Sequence, residues 1–301
     1  MSRQNRAGRG RHWTAVVVAV LWVALAASPT RAYFERVVTS ARIIGLGNSF
    51  VSIADDPSAI LVNPAGLALI SRTGALATYN RPYGVSELNE SFASVAIAMP
   101  GGVLGVSWHH VGLRGALTEN LISVAFARHL ISTTQDASLS IGATVDLARA
   151  AAEATALSDH VFTGSVGVLL RPFPMIGIGY SLRNVVEGDV HLLEGGPGTR
   201  LRRQQSWGLS YKWADLVTLS VDRSQTAIGE WRNHGGLEIL LHPNLILRGG
   251  VDGRHVSGGF GVLWRAVRVD LAMSSHQHLG STYVLSVSYL PKVKNPYAQK
   301  P

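Results

Sequence analysis

Strict two-residue alternation of apolar and polar side chains, repeated run after run, constrains this chain more than any other feature. In Ser206–Trp213, Trp207, Leu209, Tyr211 and Trp213 alternate with Ser206, Gly208, Ser210 and Lys212. Ser138–Leu147, Ile176–Arg183, Val217–Asp222, Val267–Ser274 and Tyr283–Tyr289 read the same way. A helix repeats every 3.6 residues and cannot hold such a pattern on one face, whereas successive strand residues point to opposite faces. Fourteen runs qualify: 75–81, 91–99, 103–111, 119–128, 137–148, 160–170, 175–186, 204–213, 215–223, 233–242, 245–252, 256–265, 267–274 and 282–290. Most exceed the usual soluble strand of about 5–6 residues. They match the roughly 9–11 residues a tilted strand needs to cross a bilayer.

The spacing between runs alternates as well. Links after the second, sixth, eighth, tenth and twelfth runs are tight; those after the first, third, fifth, seventh, ninth and thirteenth run from 7 to 17 residues. Short turns at one end and longer loops at the other is the arrangement of outer-membrane barrels, with an even strand count placing both termini on the periplasmic side. The pattern fits fourteen strands, with twelve as the alternative. A secreted sandwich or lipocalin-like barrel would alternate too. Here, though, the polar face is largely Gly, Ser and Thr. Trp207, Trp213, Trp264, Tyr283 and Tyr289 sit near the ends of apolar stripes, as interfacial girdles do.

Composition agrees. Charged residues make up 15% of the 301 residues and glycines number 32, against about 25% charged and about 7% glycine in ordinary domains. The absence of cysteine removes thiol catalysis, disulfide scaffolds and Cys-ligated zinc. The net charge of +8 is misleading as a sign of nucleic-acid binding. Arg3, Arg6, Arg9 and Arg11 precede an uncharged run, Trp13–Ala27, and small residues before Ala32. That is a signal peptide, residues 1–32, cut after about Ala32. Five of the 27 basic residues and none of the 19 acids lie within it, which leaves +3.

Residues 33–74 do not alternate. Asp56-Pro57 and Asn63-Pro64 are two helix-start signals seven residues apart. Each offers an N-cap side chain and a proline at the first helical position, where a missing N–H costs nothing. The segment reads as a compact plug in a barrel lumen, where irregular backbone is tolerated because it does not face lipid. N-capping also accounts for Asp55-Asp56 more simply than a bound cation does.

The string from Ala41 to Ala68, ARIIGLGNSFVSIADDPSAILVNPAGLA, resembles the N-terminal signature of the FadL-like outer-membrane barrels, closest to the PorV/PorQ-like branch. Residues 234–290 resemble the same family's closing strands, with Glu238 set against Leu247-Arg248-Gly249-Gly250. The resemblance implies a fourteen-stranded transmembrane antiparallel barrel (75–290) in a Gram-negative outer membrane. It also implies a small helical hatch (33–74) marked by Gly45, Gly47, Asp55, Asp56, Pro57, Asn63, Pro64, Ala65 and Gly66. Asn63 and Pro64 would set the hatch conformation, with Gly45 and Gly47 as hinges. The chain departs from many such barrels in its tail, 291–301, which would leave Tyr289 as an internal assembly signal. Residues 112–233 carry little family information.

The remaining chemistry is sparse. His109-His110 on a strand points to opposite faces, Gly45-x-Gly47 lacks a dinucleotide fingerprint, and no nucleophile elbow appears. No enzyme, metal or cofactor is expected. Asp146, Arg183, Lys212, Asp222, Glu238, Arg248, Asp252, Arg265, Arg268 and Asp270 fall on the Gly/Ser/Thr side of their strands. Buried charges must pair, so a lumenal ion-pair ladder is favoured over a permeation path. The expected function is a passive channel for hydrophobic or small molecules. The alternative implied by the PorV/PorQ-like branch is a non-enzymatic accessory of a secretion or surface-attachment system, its loops 187–203 and 224–232 meeting partner proteins. The expected surroundings are outer-membrane lipid, not nucleic acid.

Overall fold

The computed structural model describes residues 38–133, 137–153, 156–191, 199–253, 255–276 and 278–291. The expected signal peptide, the first five residues of the hatch segment and all but one residue of the tail lie outside that range. Sixteen strands lie among the described residues: β1 (Gly74–Arg81), β2 (Leu88–Met99), β3 (Gly102–Leu113), β4 (Leu117–Ser132), β5 (Ser138–Ala152), β6 (Leu157–Phe173), β7 (Ile176–Arg183), β8 (Gly188–Val190), β9 (Thr199–Leu201), β10 (Gln204–Trp213), β11 (Val217–Gln225), β12 (Trp231–His242), β13 (Leu245–Asp252), β14 (His255–Trp264), β15 (Val267–His276) and β16 (Gly280–Tyr289). Fourteen form one closed antiparallel barrel; β8 and β9 make a separate hairpin. Closure comes from β1 against β16, with Ala75 opposite Tyr289 and Arg81 opposite Tyr283. No edge is left with unpaired backbone groups, the condition for crossing lipid with strands.

Every expected run coincides with a barrel strand, but the loops are shorter than the spacing of the runs suggests. β4, β5 and β6 extend over 16, 15 and 17 residues; with β3, β11 and β12 also running past the alternating stretches, the β3–β4 and β11–β12 connections shrink to 114–116 and 226–230. The reason is that backbone pairing continues where side-chain alternation fades. Only the apolar stripe ends with the membrane; the hydrogen-bond ladder does not. The connection from β7 to β10 remains long and carries the β8–β9 hairpin.

Alternation sorts the two faces. Val95, Val106, Phe126, Val145, Leu209, Val221, Leu271 and Leu285 point outward and are exposed. A continuous apolar band of this kind is stable only against lipid. Trp213, Trp264 and Tyr289 end their strands at the tight-turn end, whereas Trp207, Trp231 and Tyr283 lie toward the loop end.

The lumen is filled by residues 38–70. Helix α1 (Ala41–Gly45) is capped by Ser40. Two 3-10 helices follow, Pro57–Leu61 and Pro64–Leu69. Asp56 and Asn63 are their N-caps, accepting from the N–H groups of Ser58 and Ala65. Prolines seven positions apart leave room only for single tight turns, which close as 3-10 helix.

Glycine lets this segment touch the wall. A Cβ at Gly250 on β13 would stand 2.2 Å from the Gly47 nitrogen, and one at Gly142 on β5 would stand 2.4 Å from the Pro64 carbonyl carbon. Gly167 and Gly179 meet hatch atoms equally closely, and Gly208 and Gly236 would meet them within 3 Å. Part of the glycine content is therefore the mould of the hatch.

Candidate functional site

The hatch meets the barrel through a closed ring of charge near the tight-turn end. Arg42 Nε donates to Glu238 Oε2 at 2.9 Å, and Arg248 Nε reaches the same oxygen at 2.7 Å. Arg248 Nη1 donates to Asp270 Oδ1 at 2.6 Å, and Arg268 Nε donates to Asp270 Oδ2 at 2.7 Å. Arg268 Nη2 and Arg42 Nη1 both reach Asp56 Oδ2 at 3.1 Å, closing the circuit. Three cations and three anions alternate, which is how buried charge is tolerated.

Asp56 does two jobs with its two oxygens. Oδ1 caps the 3-10 helix through Ser58, while Oδ2 joins the ring. Burial alone would raise its carboxyl; Arg42, Arg268 and the Ser58 bonds outweigh that and hold it below the ordinary aspartate range. Asp55 adds a third acid to Arg42 and is exposed.

Three further clasps hold the segment. Asp222 Oδ2 accepts the backbone N–H of Phe50 and of Val51, at 2.6 and 2.7 Å. His234 reaches the Gly47 carbonyl and Asp252, and Asn48 Nδ2 donates to Asp252 at 2.7 Å. At the start of the segment, Glu90 accepts from the Val38 N–H and from Asn80, and pairs with His109 at 2.7 Å.

Two cavities flank the hatch. A vestibule of about 380 Å³ opens toward the loop end. Its floor is Ile43, Val51, Leu61 and Val62 of the hatch, and its walls include Arg183, Gln204, Asp222, His234 and Asp252. A cavity of about 110 Å³ lies at the turn end, against Arg42, Asp55, Arg171, Lys212 and Glu238. They share no lining residue, and hatch residues 43–53 lie between them.

The structure brings Glu238, Arg248, Arg268 and Asp270 into one cluster, with Asp222 and Asp252 holding the hatch on the vestibule side. Asp146 stands apart, bonded to Thr144 and Ser165. Arg183 lines the vestibule and makes no ion pair among the described residues. Lys212 sits half-exposed at the turn-end rim and pairs with Asp215.

Arg265 does not face the lumen. It occupies the β14–β15 turn with φ 57°, its guanidinium 5.3 Å from the centre of the Trp264 ring, because the tight turn interrupts the alternation.

In the hatch motif, Asn63 Nδ2 donates to the carbonyls of Val51 and Val168, tying hatch to wall. Pro57, Pro64 and Ala65 are buried, and Gly66 lies against the Ala54 carbonyl. Gly47 is left-handed, φ 61°, and pressed on the Val251 backbone; Gly45 lies inside α1 facing Arg248.

The residues that sequence reading passed over are Arg42, Glu90, Asn80 and His234. Extending the β2 alternation one step back from Ser91 would have placed Glu90 inward. No local signal marks Arg42, whose three acidic partners, Asp55, Asp56 and Glu238, come from two hatch positions and one distant strand.

A closed fourteen-stranded barrel with a lumenal N-terminal hatch is the architecture of the FadL-like outer-membrane barrels. Solved structures share it: the toluene transporter TbuX of Ralstonia pickettii superposes with a TM-score of 0.62 at 11% identity, covering 86% of this chain and 100% of that one. A FadL homologue of Pseudomonas aeruginosa gives 0.59 at 14% identity, with 86% and 100% covered. The toluene transporter TodX of Pseudomonas putida gives 0.62 at 13% identity, with 85% and 98% covered. No family model and no curated relative matches the chain.

Proposed function

We propose that this barrel is an outer-membrane channel for small hydrophobic molecules, held shut here by its hatch. One observation carries the reading: two cavities on opposite sides of a segment fixed by ion pairs and hydrogen bonds rather than by chain connectivity alone. In this reading the loop end faces outward and the turn end faces the periplasm, the usual orientation of such barrels. A ligand settles on Ile43, Val51, Leu61 and Val62 and passes when the hatch shifts. Proteins of the same fold named as toluene transporters support the choice of hydrophobic cargo.

Uptake of a hydrophobic dye tests it. Cells lacking the protein should take up less than complemented cells, and Asn63→Ala, checked for heat-modifiable gel migration, should alter the rate by loosening the hatch. Equal uptake with and without the protein overturns the channel.

The finer placement in the PorV/PorQ-like branch rests on the strings at 41–68 and 234–290. It would make the barrel a secretion accessory. Recovery of the barrel alone from gently solubilised membranes would count against that role.

A further inference from the structure

The outer wall carries a feature the channel does not use. Along the lipid face of β16, β1, β2, β3 and β4 runs an apolar groove of about 700 Å³. Its floor is made by Ala75, Ala77 and Ala93, and its sides by Tyr289, Trp108 and Ile122. The register explains the trough: Ala77 pairs with Ala93, and Ala93 pairs with Trp108, so two small residues in one outward row stand beside a large ring. The ladders from β1 to β4 are unbroken here, so the groove is a dent in the surface and not a hole through it.

At the loop end the trough runs into a polar shelf. One row further on, Tyr79, Ser91, His110, Asn120 and Arg149 stand side by side across five strands. Asn120 accepts from Trp108 Nε1 at 3.1 Å, and His110 stacks on the Trp108 ring. Beyond Tyr79 lies Arg81, which donates to the Tyr79 hydroxyl. Neither Arg81 nor Arg149 forms an ion pair among the described residues. Of the acids in this sector, Glu90 and Glu119 are buried on the lumenal side, Glu87 lies in the loop beyond, bonded to Ser86, and Glu153 is exposed just past the end of β5, beyond the row that holds Arg149. The shelf is therefore cationic and rich in hydrogen-bonding groups, directly above a groove shaped for hydrocarbon.

We infer that this face is a docking site for a phosphorylated glycolipid of the outer leaflet, with one acyl chain in the alanine trough. Guanidinium groups recognise phosphate through paired N–H donors, and the amide, hydroxyl and imidazole groups between them suit sugar hydroxyls. From β1 to β5 is four strand spacings of about 4.8 Å, or about 19 Å between backbones. Two flexible arginines reaching inward across that span bracket a headgroup with a phosphate at each end, wider than a single phosphodiester. The contrast with the far side supports the choice: Arg223 on β11 is already occupied by the Trp231 ring, at 5.3 Å.

Native mass spectrometry of the full-length barrel in neutral detergent tests this, with diphosphorylated lipid A as the probe. Phosphatidylcholine and inorganic phosphate serve as the comparison ligands. One lipid A should be retained, and the Arg81→Ala/Arg149→Ala double variant should bind it about tenfold or more weakly. Ala77→Phe/Ala93→Phe, which fills the trough and leaves the shelf intact, should weaken it independently. Arg128→Ala, an outward arginine at the turn end, should change nothing. All variants keep the lumen untouched, and heat-modifiable migration confirms the closed barrel. Unchanged lipid A retention in both double variants overturns the site. So does equal retention of phosphatidylcholine, and displacement of lipid A by inorganic phosphate would reduce the site to a simple anion patch.

Discussion

The two halves of the lumen hold the hatch by different physics. On the β2–β7 side, Leu67, Ile60 and Phe50 pack with Phe92, Val103, Leu121 and Ala125, and the β8–β9 hairpin adds Val190 and Leu201 to the same cluster. On the β10–β16 side most of the contacts are polar, Asp222, His234, Glu238, Arg248, Arg268 and Asp270, beside a small apolar cluster of Val38, Ala41 and Ile44 with Ala272 and Val284. An apolar cluster fixes volume and tolerates sliding among similar shapes, whereas a closed ring of ion pairs accepts one geometry or breaks. The first half anchors the plug. The second sets its registration, and it is the half on which a small push can act as a switch.

The largest effect should come from opening the ring. Arg248→Ala leaves Glu238 and Asp270 facing each other without their shared cation, a change expected to cost about 3–5 kcal/mol. Denaturant unfolding in detergent reads this directly, and the same variant should raise dye uptake. Leu67→Ala removes a fully buried side chain from the opposite half and should cost about 2–5 kcal/mol. Its uptake should stay near the parent's, because the ring still holds the hatch in register. If Leu67→Ala opened the channel and Arg248→Ala did not, the division of labour would be reversed.

The acid limb of the stability curve sharpens the ring further. Asp56 lies below its ordinary value in the folded protein. A carboxylate depressed by folding contributes stability above its unfolded pKa, about 3.9, and loses it as pH falls through the folded value. The parent should therefore weaken below about pH 4, and Asp56→Asn should be less stable at neutral pH with a flatter acid limb. An acid limb of equal steepness in the two proteins would remove Asp56 from the account.

How legible was this? The barrel wall was almost entirely so, since each strand announces itself by a two-residue period that needs no partner to be seen. The two proline caps were equally plain, because Asp56 and Asn63 act on N–H groups two residues away. The ring was half legible. Phase placed Glu238, Arg248, Arg268 and Asp270 inward, and the family resemblance set Glu238 against the Arg248 strand, but the hatch cation Arg42 lies 196 positions from Glu238. Pairing at that distance leaves no periodic trace. Arg265 misled because a residue in a tight turn still fits the count of an alternating run. The glycines were counted but their purpose was hidden, as Gly142 and Gly250 are specified by Pro64 and Gly47 and not by their own neighbours.

The smallest expected effect tests whether the β2–β7 half is sealed mainly by apolar burial, beside its polar clasps at Glu90 and Asn63. The β8–β9 hairpin offers both kinds of contact. Val190 is buried in the core cluster, while Arg200 pairs with Glu187 at the exposed loop end at 2.7 Å. Exposed pairs give little, because water screens them and ordering two long side chains costs entropy. Burial of a branched apolar chain gives more, and Val190→Ala should lower stability by about 2 kcal/mol. Arg200→Ala should leave the melt where it is. Should Arg200→Ala destabilise more than Val190→Ala, ion pairing would govern the sealed half as well, and the contrast between the two halves would be one of position and not of physics.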